Sequence, residues 1–141
     1  MILLDTDHVS ILRMPPSDRR TRLVERMTLS SDEVFGIPIV VVEETMRGWL
    51  AAIAKERTAH RQVPAYRELS SLFRFFAAFP IAPFEQTTAD RFDSLQAAKV
   101  RIATRDLKIA SICLDDNALL LTANRRDFEK VPGLRFEDWL N

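Results

Sequence analysis

Four short runs, MILL at residues 1–4, EVFGIPI, FPIAPF and ALLLT, are apolar almost throughout and lack the alternation of a half-exposed strand. Strands of that kind have both faces covered, and helices between them do the covering. The segments between the runs fit that role. HVSILRM reads as a brief helix stopped by Pro15 and Pro16, and Ser17 or Asp18 caps a charged helix reaching about Ser30. VVVEETMRGWLAAIAKER is a long helix. Val42, Met46, Trp49, Leu50 and Ile53 fall on one of its faces, and Gly48, Ala51 and Ala52 on the other, where small residues admit a close neighbour. Residues 64–79 form a further helix. Thr88 is placed as the cap of TADRFDSLQAAKVRIA and Thr104 as the cap of RDLKIASICL. RRDFEKV gives a helical turn, and LRFEDWL an edge strand. The expected architecture is a single α/β domain over residues 1–141, an α/β/α sandwich on a mostly parallel sheet.

Composition narrows the function. Lys plus Arg equals Asp plus Glu, so the chain is neutral overall and does not read as a polybasic binder held by charge alone. The lone cysteine, Cys113, permits neither a disulfide framework nor a cysteine-built zinc site within one chain, and reads as a small buried hydrophobe. No signal peptide and no membrane-spanning run is visible, so a cytoplasmic protein is expected, with no membrane partner. No glycine-rich phosphate loop is present, which argues against a nucleotide-binding Rossmann domain.

Ligands of parallel sheets sit beyond the carboxyl ends of the strands. Acids collect at those points. Asp5 ends the first strand, Glu44 lies in the first turns of the following helix, Asp106 in the first turn of another, and Asn124 and Asp127 follow the fourth strand. Converging carboxylates repel and raise each other's pKa unless a hard cation neutralises them. A divalent ion also polarises a phosphoryl oxygen and activates water, and it lets a phosphodiester approach acids that would otherwise repel it. Thr6 and Thr122 follow apolar strands and are placed to support a carboxylate or a metal-bound water, or to cap the following segments. Taken singly, Glu44 and Asp106 are also explained by the helix dipole.

The segments LLDTDHVSIL, VVEETMRGW, IATRDLKIAS and LLLTANRRDFEKVPGLRFEDW together resemble the PIN-domain family, more narrowly the VapC-type toxin ribonucleases of type II toxin–antitoxin pairs. That resemblance covers nearly the whole chain. It implies a PIN-like fold and a Mg2+- or Mn2+-dependent endoribonuclease acting on RNA. It also implies a cognate antitoxin and a homodimer. It places the catalytic acids at Asp5, Glu44 (with Glu43 next in line) and Asp106, with Asp5, Asp106 and Glu44 as the metal ligands. The sequence departs from the family pattern at Asn124, where many members carry an acid; some relatives carry one three residues further on, which is Asp127 here, and metal number turns on whether it reaches the site. Asp7 stands where many relatives have Asn, and is read as a cap of the following helix in preference to an outer support of the site. Arg105, Arg125 and Arg126 flank the acids as candidate RNA phosphate contacts. The aromatic stretch 66–79 offers a groove or dimer face, or plain core.

Two other readings remain at this point. A haloacid-dehalogenase-type phosphatase would use Asp5 as nucleophile and Asp7 as acid/base, with Asp115 and Asp116 as a later acidic motif. A PIN-fold RNA- or protein-binding module with weakened catalysis is kept open by Asn124.

Overall fold

The computed structural model describes all residues, 1–141. Five strands form one sheet: β1 (Ile2–Leu4), β2 (Phe35–Pro38), β3 (Ile81–Ala82), β4 (Leu119–Leu121) and β5 (Phe136–Glu137). Their order is β3-β2-β1-β4-β5, and every pairing is parallel. β1 is central, with Ile2 against Phe35 on one side and Leu119 on the other. Its Leu3 and Leu4 are fully buried, which is why the strand carries no polar residue until its end. Gly36 meets a demand for space in β2: a Cβ there would stand 3.1 Å from both Leu3 Cδ2 and the Pro80 carbonyl oxygen.

Seven helices pack around the sheet: α1 (Thr6–Arg13), α2 (Asp18–Leu29), α3 (Ile39–Lys55), α4 (Ala59–Ala77), α5 (Gln86–Ala97), α6 (Thr104–Asp115) and the short α7 (Arg125–Phe128). The core joins strand leucines to Val9, Val41, Leu72, Ile109, Ile112 and Phe128, and Cys113 lies buried within it. No helix is long and apolar enough to cross a membrane.

Several local expectations are corrected. α3 leaves Leu50 51% exposed and buries Val40 and Val41 instead, because its first turn is the part that lies on the sheet. Gly48 is exposed and has open space beside it, so it makes no close helix contact. α4 begins at Ala59, five residues before Pro64, because Thr58 caps it by accepting the Arg61 N–H. Thr88 is not the cap of α5. It sits one turn inside and its hydroxyl accepts the N–H of Glu85, the true cap, at 3.1 Å. α5 also stops at Ala97, well short of the predicted end at Ala103. Thr104 is the first residue of α6, and Ala103 precedes it with no side-chain cap.

Candidate active site

The sheet order reverses at β1, between β2 on one side and β4 on the other, and in parallel sheets the crevice for a ligand lies beyond the carboxyl ends of the strands at such a point. Asp5 stands there. Its N–H still belongs to the sheet, donating to the Leu121 carbonyl at 3.0 Å. Its side chain caps α1: Oδ1 accepts the Thr6 N–H at 2.7 Å and Oδ2 accepts the Thr122 hydroxyl at 2.8 Å. Thr122, from the end of β4, is itself fully buried and is oriented by the Asn124 N–H, 3.0 Å from Oγ1. Burial, then the neighbouring Asp7 carboxylate, push the Asp5 pKa up to about 7, against the smaller opposing effect of its two donors.

Asp106 lies in the first turn of α6. That helix precedes β4 and runs opposite to it, so its start belongs at the same edge of the sheet. The residue is only 8% exposed. Its carboxylate makes no hydrogen bond, and burial raises its pKa against the pull of Arg105. Asp127, Glu44 and Asp7 raise it further. These mutual effects bring Asp5, Asp7, Glu44, Asp106 and Asp127 into one electrostatic group.

Glu44, in the second turn of α3, accepts a hydrogen bond from the Thr6 hydroxyl, and the Arg105 Nε lies 3.1 Å from its Oε2. Glu43 is exposed and pairs with Arg47 at 2.6 Å. A cleft of about 260 Å3 separates α3 from α6 beside Glu44 and Arg105. Asp127, on α7, accepts the Asn124 side-chain amide at 3.1 Å. Asn124 therefore orients the neighbouring acid. Arg125 lies over the Phe136 ring, 5.6 Å from its centre, and Arg126 is exposed.

Asp7 is not a helix cap, since Asp5 holds that position. It ties together separate parts of the chain. Its Oδ2 accepts the Ala123 N–H at 2.8 Å, and its Oδ1 faces His8 Nδ1 at 2.6 Å. His8 is the functional neighbour that sequence reasoning missed. It is fully buried, and its Nε2 accepts the Trp139 N–H at 3.2 Å. Nε2 must therefore be unprotonated, and the ring's proton sits on Nδ1, pointing at Asp7. Nothing local could have signalled this, because Trp139 is 131 positions away. His8→Leu is expected to lower stability by about 2 kcal/mol, because it strands a buried N–H and removes one donor from Asp7. His8→Gln, which keeps an acceptor for Trp139, should lose less; urea denaturation of both variants checks the order.

Asp115 and Asp116 lie at the far end of α6, before β4 begins, and Asp115 pairs with Arg91 at 2.6 Å. They stand at the opposite sheet edge from Asp5, which removes the second acidic motif of the phosphatase reading.

The oxygen-only donor set suits a hard cation. No three Asp, Glu, His or Cys side chains come close enough to enclose an ion together. The arrangement fits an ion held through one or two carboxylates with water completing its shell, the usual habit of Mg2+. Asp106 has its carboxylate oxygens open to solvent and free of hydrogen bonds within the chain, so they are available to a cation.

Comparison with known proteins agrees with the geometry. A PIN domain family model matches residues 2–134. No curated protein sequence matches the chain. Among solved structures, VapBC2 from Rickettsia felis bound to a promoter DNA fragment is similar at 23% identity and TM-score 0.73, with 99% of each chain covered. DNA-bound VapBC from Salmonella typhimurium aligns at 21% identity and TM-score 0.74, covering 98% of this chain and 97% of that one. VapBC-1 from nontypeable Haemophilus influenzae aligns over 100% of both chains at 19% identity and TM-score 0.74.

Proposed function

The chain belongs to the PIN domain family, and from that premise we propose that it is a Mg2+-dependent endoribonuclease, the toxin of a toxin–antitoxin pair. The observation that carries the reading is Asp106, a residue only 8% exposed whose carboxylate oxygens stay open to solvent and free of any partner in the chain, among four other acids at the topological switch point. Asp5 and Asp106 would hold the ion, with water completing its shell and Glu44 and Asp127 flanking it. Mn2+ would serve in the same place. The ion supplies Lewis acidity to the scissile phosphoryl oxygen and to the attacking water.

The protein's own groups do the rest. The Thr122 hydroxyl and the Thr6 N–H hold Asp5 in one orientation, each donating to a different oxygen of its carboxylate. Thr6 fixes Glu44, and Asn124 fixes Asp127. Asp7 pins the β4–α7 connection through Ala123, so the Asp5 and Asp127 sides of the site keep their spacing. Arg105 occupies Glu44 in the free protein, and releasing it to a phosphate would pair substrate entry with ligand-shell formation. The solved VapBC complexes support an antitoxin partner. Tyr66 and Phe73, exposed on α4 while Leu72 and Phe76 enter the core, support a homodimer or antitoxin face there.

The test is incubation of purified, antitoxin-free protein with total RNA and Mg2+ or Mn2+, alongside EDTA and Asp5→Asn controls. Discrete fragments that disappear in both controls are expected. Intact RNA throughout, with metal binding demonstrated, would instead favour a PIN-fold binding module.

A further inference from the structure

A groove of about 540 Å3 runs from the carboxyl end of α5 to the start of α6 and reaches Asp127. Its floor includes Val100 and Ile102, and its rim carries Lys99 and Arg101. Both cations are exposed, and neither takes part in any of the chain's ion pairs. They differ in this from Arg105, held by Glu44.

The backbone at Lys99 adds an independent observation. α5 ends with the Lys99 N–H donating to the Gln96 carbonyl at 2.9 Å and the Val100 N–H to that of Leu95 at 3.1 Å. That ending puts Lys99 in the left-handed region, at φ +62°. Glycine is the usual occupant, and a side chain with a Cβ costs about 1 kcal/mol or more there. The only other non-glycine residue with positive φ is Asn117, a type that tolerates it. Lysine is thus kept against the local backbone preference, at a position whose side chain borders an open groove continuous with the acidic centre. Strain of this kind at a site edge points to a use for the side chain.

We infer that this groove binds one unstacked nucleotide of single-stranded RNA beside the scissile bond, with Lys99 and Arg101 contacting its flanking phosphates. The inference rests on the ribonuclease reading above and extends it to a residue pair outside the acidic centre. An apolar floor suits a base face, and unpaired cations at the rim suit the backbone. A duplex, with its bases stacked, could use the rim and not the floor.

The test is fluorescence anisotropy of a labelled, short, mixed-sequence single-stranded RNA with Ca2+ in place of Mg2+, over a series of salt concentrations. Lys99→Gly, Lys99→Arg and Arg101→Gln are compared with wild type, and each is melted. Lys99→Gly and Arg101→Gln should each weaken binding by roughly fivefold and make the salt slope shallower by about 0.7. Lys99→Arg should bind like wild type. Lys99→Gly should melt at or above the wild-type temperature. RNA binding by wild type that neither loss-of-charge variant weakens would overturn the groove and leave the ribonuclease reading standing. A lower melting temperature for Lys99→Gly would overturn the strain argument on which the assignment stands. Equal binding of duplex DNA, with the same dependence on Lys99, would overturn the single-strand assignment. Failure of wild type to bind or cleave RNA at all would overturn the ribonuclease reading and this inference with it.

Discussion

Asp106→Asn is expected to lower RNA cleavage by roughly a thousandfold, equivalent to about 4 kcal/mol in the barrier, while leaving the protein folded. Asparagine keeps the size and shape of the side chain and removes its charge. In the native chain that charge makes no hydrogen bond, and partial burial with Asp127, Glu44 and Asp7 disfavours it by more than Arg105 favours it. Removing it relieves a repulsion, so the variant should melt no lower than wild type in the absence of metal. Its Mn2+ affinity, read by calorimetry, should fall with the activity. Glu43→Gln provides the contrast, because Glu43 is exposed and engaged only with Arg47. It should leave both cleavage and metal affinity near wild type. An Asp106→Asn protein that cleaves normally, or one that binds Mn2+ as before, would remove Asp106 from the centre and with it the assignment of the site.

The acids at this centre were legible because their placement follows from connectivity. Once strands are parallel, the residue after each strand, the first turns of the helix that follows it and the start of the helix that leads back into the next strand share one edge, which gathers Asp5, Glu44, Asp106 and Asp127. Choosing Glu44 over Glu43 came from the resemblance; in the structure Glu44 meets the Thr6 hydroxyl and the Arg105 guanidinium, and Glu43 meets Arg47. Caps were less legible. Thr88 and Thr104 have the right chemistry, but a cap also needs extended backbone at its own position, and at these ends Glu85 and Ala103 take it. Asp7 was misread for the same reason, because Asp5 had already claimed the helix start. His8 and Lys99 carried no signal. One depends on a partner at the far end of the chain, and the other on a backbone angle that lysine seldom adopts.

Asp5 makes the metal-free protein a sensor of pH, and the expected result is a melting temperature that falls as pH rises from about 5 to about 8. In the unfolded chain its carboxyl titrates in the ordinary range, near 3.8, whereas burial and Asp7 lift it to about 7 in the native state. Between those values the folded protein holds a proton that the unfolded chain has released. Raising the pH through the native value strips that proton and leaves a buried charge beside Asp7. Stability is therefore highest at the acidic side and is lost through neutrality, by a few kcal/mol, or roughly 10 °C in a chain of this size. Asp106, raised for the same reason, acts with the same sign. Asp115 and Asp138, both lowered, act in the opposite direction, but only where carboxyls ordinarily titrate or below, so the two effects occupy different pH windows. Asp5→Asn should flatten the neutral limb and raise the melting temperature at about pH 8. Mg2+ should do the same in wild type, because a bound cation stabilises the ionised form that burial disfavours, and its effect should be larger at about pH 8 than at about pH 5. A metal-free wild type whose melting temperature is flat across that range would show that Asp5 is solvated as an ordinary carboxylate, and the crevice at the end of β1 would then lack the low-dielectric character on which its affinity for a cation depends.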